Sequence, residues 1–171
     1  MIVSDLELLY DYGYWANARV RDALHSLTPE EFTRSVAGSY GSVRNTLVHI
    51  MSAEWGWLDR CGGAPRGGPL KASDFPSACS LFEQWMLIEA HMRTFLAALH
   101  DDDLQRPMPF AFGGGAPNFL PLGQLLHHAT VHGAHHRGQV ALLLRSLGHA
   151  PGNFDILDFY SERARATTVV A

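Results

Sequence analysis

Residues 127–139 read HHATVHGAHHRGQ, and they lie inside a segment of helical apolar periodicity that extends over positions 121–148. The proline at its start and the glycine at its end are ordinary helix boundaries. Within it, His128, His132 and His136 follow one another at four-residue steps, so they share one face of the helix. The stretch therefore predicts one long helix that carries a histidine-bearing face.

Three further segments have apolar residues at the same helical spacing. They extend from Asp5 to Leu27, from the N-cap candidate Ser42 to Gly62, and from about Ser77 to Leu99. Four long helices in a chain of 171 residues predict an all-α fold, a four-helix bundle, with residues 1–171 forming a single domain.

Shorter elements are expected between and after the long helices. Thr28-Pro29-Glu30-Glu31 has the order of a capping box, which predicts a short helix to about Ser35, and Phe154–Arg163 suits another short helix. Before the last long helix, two short stretches flank a glycine triplet, so we expect a short irregular hairpin or loop there. These stretches are Pro107–Phe112 and Pro117–Leu120, around Gly113-Gly114-Gly115.

Charge and composition argue against several classes of partner. The formal net charge is -4 and the pI is about 6.2, with no basic stripe, so we expect no nucleic-acid or membrane binding. No apolar run approaches the roughly 20 residues that span a bilayer, and the N-terminus lacks the basic start of a signal peptide. With only Cys61 and Cys79, far apart in the sequence, a cytoplasmic location is expected.

The histidine spacing indicates a metal site. Imidazoles four residues apart on a helix can hold one ion, but three such positions extend over roughly 12 Å, too far for one ion. We therefore expect His132 and His136 to be a ligand pair, with His128 one turn away lining the pocket. His49 lies in an apolar stretch, where a metal would satisfy its ring. The alternatives are a hydrogen-bonded core histidine at His49 and a merely polar helix face.

Four motifs taken together resemble the DinB/YfiT-like metalloenzymes, which are bacterial four-helix-bundle proteins. They are Tyr14-Trp15-Ala16-Asn17, Leu47-Val48-His49-Ile50, the segment His128–Gln139 with its HxxxHRGQ ending, and Asp155-Ile156-Leu157-Asp158-Phe159-Tyr160. The resemblance implies that His49, His132 and His136 bind one divalent transition metal, zinc or nickel foremost and manganese or iron otherwise. It also implies a homodimer.

The resemblance implies one enzymatic function, and the chemistry of a metal ion with an open position adds a second. Such a site would activate a low-molecular-weight thiol in an S-transferase-like reaction, as the resemblance implies, or water in a hydrolase-like reaction. The alternative is a non-catalytic metal-binding or stress-response protein. Among possible catalytic bases, His128 is a weak candidate, and Glu54 is expected to be an exposed helix charge. Arg137 and Gln139, beside the last ligand, serve either packing or the pocket, and packing is the expectation.

Overall fold

Four long helices make up most of the structure, a computed structural model that describes residues 1–62, 68–111 and 118–169. They are α1 (Val3–Leu24), α3 (Val43–Cys61), α4 (Ala78–Ala97) and α5 (Leu122–Ser146). Two shorter helices, two 3-10 turns and one hairpin complete the described part: α2 (Pro29–Thr33), α6 (Ile156–Val169), Ala72–Asp74, Asp101–Gln105, β1 (Pro107–Phe110) and β2 (Asn118–Pro121). In these ranges, no helix is both long and apolar enough to cross a lipid bilayer.

The long helices pack as a bundle in which α5 lies between α1 and α3, and α4 contacts the other sides of α1 and α3. Their apolar faces meet in two clusters along the bundle. Leu47, Met51 and Ile88 belong to one cluster, and Leu6 and Leu126 belong to the other. The predicted all-α four-helix bundle is confirmed. The assignment of residues 1–171 to a single domain stays a prediction.

Local signals set several of the helix ends as expected. The Ser42 side chain accepts a hydrogen bond from the Asn45 backbone N–H at 3.0 Å, and Gly62 closes α3 with a φ of 90°. Thr28 caps α2 in the same way. The last helix differs from the prediction: it begins at Ile156, where the Asp155 side chain accepts from the Leu157 N–H at 2.9 Å, and it continues to Val169.

The hairpin before α5 is present where the structure describes it. Its strands are antiparallel, with Pro107 opposite Pro121 and Phe110 opposite Asn118. The Leu122 N–H donates to the Arg106 carbonyl at 2.9 Å, so the hairpin leads directly into α5. The predicted glycine-rich tip, Gly113–Gly115, lies outside the described residues.

The contact between α5 and α1 is built around the buried Arg137. Its guanidinium donates to the Asn17 side-chain oxygen at 3.3 Å and lies over the Tyr12 ring at 5.5 Å. A Cβ at Gly133, one turn earlier, would be 3.1 Å from Arg137 Nη1, so a residue without a side chain makes room for the guanidinium. The expectation that Arg137 serves packing agrees with these contacts.

Candidate metal site

The three predicted ligands come together where α3 packs along α5. His132 and His136 occupy successive turns of α5, and His49 lies in the middle of α3. One nitrogen from each imidazole can be chosen so that all three lie within 4.8 Å of one another. The Nε2 atoms of His49 and His132 are 3.0 Å apart. The packing of α3 on α5 thus brings two histidines that are 83 residues apart in the sequence to a distance at which both can bind one ion.

Burial keeps at least two of these imidazoles neutral. It lowers the pKa of His49 to about 4, with a smaller contribution from the charge of His136, and lowers the pKa of His132 to about 4 in the same way. At neutral pH both rings are therefore unprotonated. A neutral imidazole is the form that binds a metal ion, so no proton has to be displaced from them.

Gln139 fixes the orientation of His136. The Nδ1 atom of His136 donates to the Gln139 side-chain oxygen at 2.7 Å, which leaves Nε2 as the free nitrogen of that ring. The same oxygen accepts from Ser39 Oγ at 2.7 Å, and the amide nitrogen lies 3.0 Å from His135 Nε2. For Gln139 these contacts favour a place at the pocket over packing, since its side chain holds a predicted ligand. The i,i+3 spacing from His136 is the sequence signal that could have identified it.

The loop between α2 and α3 adds an aromatic side chain that the sequence analysis missed. The Tyr40 ring stacks on the His49 ring with centroids 3.8 Å apart, and the Tyr40 hydroxyl oxygen is 2.8 Å from His49 Nε2. The Tyr40 ring also meets the His136 ring edge-on at 5.5 Å. Helical periodicity says nothing about a loop residue. Its position between Gly38 and Gly41 was the one available sign of a structured turn.

Known proteins share both the sequence pattern and the fold of this chain. The sequence model of the DinB family matches residues 1–166. The chain belongs to the DinB family. It is 22% identical over 165 residues to Protein DinB of Bacillus subtilis (strain 168), covering 92% of this chain and 96% of that protein. A crystal structure of a DinB-like protein from Bacillus cereus ATCC 10987 shares the fold, with a TM-score of 0.67, 20% identity, and coverage of 89% and 97% of the two chains.

The other histidines of this DinB-family chain occupy different surroundings. His128 is half-buried beside the ligand group, with its ring 5.8 Å from that of His132 and 5.3 Å from that of Trp57. Burial lowers the pKa of His128 as well, followed by the effect of His127. His127 and His135 are exposed. These positions agree with a pocket-lining place for His128, while its catalytic role stays a prediction.

Glu54 does not belong to the histidine site, and the expectation that it is an exposed charge is wrong. Its carboxylate accepts hydrogen bonds from the Tyr14 hydroxyl at 2.7 Å and from Trp85 Nε1 at 2.8 Å. Burial raises the pKa of Glu54, and the two hydrogen bonds oppose that rise. Its hydrogen-bond partners lie on α1 and α4, and Glu54 faces the interior of the DinB bundle.

Proposed function

We propose that this DinB-family protein binds one divalent transition metal through His49, His132 and His136 and uses it to activate a small nucleophile. The observation that carries the proposal is the convergence of three imidazole nitrogens within 4.8 Å. Ligand atoms at roughly 2.0–2.1 Å from a tetrahedral ion are about 3.3 Å from one another. The separation of 3.0 Å between two of the three nitrogens is already close to that value.

The donor set also fits the chemistry of the ion. Imidazole suits zinc, nickel, copper and iron, and a set of three neutral ligands leaves the positive charge of the ion uncompensated. Zinc or nickel is the foremost candidate, followed by manganese or iron. An ion bound here would lower the pKa of a coordinated thiol or water toward neutrality.

The surrounding residues support catalysis on a small-molecule substrate. His128 is one helical turn from His132, and burial lowers its pKa, so the ring is mainly unprotonated at neutral pH but is a weaker base than a free imidazole. The buried Trp57 ring gives the same side of the site an apolar wall. In an S-transferase-like reaction, a low-molecular-weight thiol would lose its proton to His128, and its sulfur would displace the leaving group of an electrophile. In a hydrolase-like reaction, water would take the place of the thiol.

The second candidate function is a non-catalytic metal-binding or stress-response protein. One contact favours it: the Tyr40 hydroxyl lies 2.8 Å from His49 Nε2, one of the predicted ligand atoms. A site closed by a protein group would bind metal without turnover.

The test is elemental analysis of the purified, untagged protein after reconstitution with zinc, nickel or manganese. We expect about one ion per chain in the parent and none in the His132→Ala, His136→Ala double variant. The matched control is His127→Ala, which removes an exposed histidine from the same helix and should keep the ion. No ion in the reconstituted parent would refute the metal proposal.

Assays of thiol consumption with several electrophiles then separate the two functions. Consumption that requires the ion, and that is lost in the double variant, supports the S-transferase-like reaction. Stoichiometric metal with neither thiol consumption nor hydrolysis of ester and amide substrates supports the non-catalytic candidate.

A further inference from the structure

Tyr40 places its phenol oxygen 2.8 Å from His49 Nε2, one of the three imidazole nitrogens. We infer that this phenol oxygen is the fourth protein ligand of the bound ion. The inference rests on the proposed metal site and deepens it, because it says what occupies the position that three histidines leave open.

The first support is distance. The Tyr40 oxygen is 2.8 Å from His49 Nε2, and His132 Nε2 is 3.0 Å from the same nitrogen. Two atoms that bind one tetrahedral ion are about 3.3 Å apart. The phenol oxygen is therefore as close to a predicted ligand atom as another predicted ligand atom is.

The second support is the conformation of the loop, which holds Tyr40 beside His49. Ser39 has a φ of 48°, a left-handed conformation that is uncommon for residues other than glycine, and Gly38 and Gly41 on either side also have positive φ. Such strain persists only where surrounding contacts enforce it, and it concentrates at functional sites. Here the Asn45 side chain donates to the Tyr40 carbonyl at 3.1 Å, which fixes the backbone of the ligand candidate itself.

The third support is a connection between this loop and a histidine ligand. The Ser39 hydroxyl donates to the Gln139 oxygen at 2.7 Å, and that oxygen also accepts from His136 Nδ1 at 2.7 Å. The Ser39 hydroxyl is in addition 3.0 Å from Thr46 Oγ1 on α3. The residue before Tyr40 and the ring of His136 are thus held by one acceptor atom. This shared contact fixes the position of the Tyr40 loop relative to the His136 imidazole.

Ligation by Tyr40 has a chemical consequence for substrates. Ligation would require the phenolate form of Tyr40, whose proton would pass to water, and a substrate thiol or water would have to replace this ligand. Tyr40 is 45% exposed and belongs to neither core cluster, so its displacement from the site would leave the bundle core intact.

Copper(II) is the probe, because it binds strongly to imidazole-rich sites and gives an intense visible charge-transfer band when a phenolate ligates it. The full-length protein is loaded with one equivalent of copper(II), and bound copper and visible absorption are measured together. The parent is compared with Tyr40→Phe, which keeps the stacked ring and removes the oxygen. The matched control is Tyr160→Phe, which removes the hydroxyl of an exposed tyrosine on α6.

We expect one copper per chain in all three proteins, with the band present in the parent and in Tyr160→Phe and absent in Tyr40→Phe. Stoichiometric copper without a band in the parent would overturn the inference while leaving the histidine site intact. A band that survives in Tyr40→Phe would also overturn it. Failure of the parent to bind any metal would instead remove the proposed function, and the inference with it.

Discussion

Replacing Gln139 by leucine should weaken metal binding without removing any ligand. The Gln139 oxygen is the acceptor for His136 Nδ1 at 2.7 Å, and His136 is only 9% exposed. After the substitution, Nδ1 loses its partner, and the ring is free to rotate or to place its proton on Nε2. Loss of such a supporting hydrogen bond costs roughly 10–100-fold in metal affinity, or about 1.4–2.8 kcal/mol.

Competition with a chromophoric chelator measures the zinc Kd of Gln139→Leu and two companions. Gln139→Glu keeps an acceptor at the same place and should retain the parent's affinity. Ser39→Ala removes the loop's hydrogen bond to Gln139 and leaves His136 supported, so its loss should be smaller than that of the leucine variant. A Kd for Gln139→Leu within about twofold of the parent would refute the assigned role of Gln139.

Three further predictions concern stability. In α5, the new Cβ of Gly138→Ala has open space around it, so this variant should gain about 1 kcal/mol of unfolding free energy. The new Cβ of Gly133→Ala would lie against the buried guanidinium, so that variant should gain none. Equal gains in chemical denaturation would contradict this reasoning. Since the pKa of Glu54 is raised from 4.5, the folded protein loses stability as pH rises above that value, so Glu54→Gln should gain unfolding free energy relative to the parent between pH 4.5 and neutrality. Because the pKa values of His49 and His132 are about 4 in the folded protein, against roughly 6.5 in the unfolded chain, the Tm of the metal-free protein should fall as pH drops from roughly 6.5 to about 4. Replacing both histidines by glutamine should flatten that fall, and an unchanged pH profile would argue against their burial.

The bundle can be predicted from the periodicity of apolar residues, because helix formation depends on local interactions and helix packing depends on one apolar face. The spacing of apolar residues, the Ser42 cap and the stop at Gly62 describe α3 without any knowledge of its neighbours. The pairing of His132 and His136 is equally local, since four residues make about one turn. The approach of His49 to this pair depends on how α3 packs on α5. Spacing alone leaves that packing open, and the resemblance of the motifs to the family is what indicates His49 as the third ligand.

Side chains whose surroundings depend on tertiary packing could not be placed from local sequence patterns. Glu54 looks like an ordinary helix charge until α1 and α4 supply Tyr14 and Trp85 as hydrogen-bond donors. Tyr40 belongs to a loop whose course is set by three residues with positive φ, which no apolar pattern reports. His149 is half-buried, with Glu31 of the capping segment 3.2 Å from its ring. For Glu54 and His149 the decisive partner is remote in the chain.

The four residues of the HRGQ ending show why a short motif can specify this site. Successive residues of a helix differ by about 100° in direction, so neighbours necessarily face different surroundings. His136 points into the groove toward α3, while Arg137 points to α1 and bonds Asn17. Gly138 has nothing within 4 Å of its missing side chain, and Gln139 returns to within 2.7 Å of His136 Nδ1. The ligand, the helix contact and the support of the ligand thus depend on one another through a single turn, and shifting any of them by one position would separate all three.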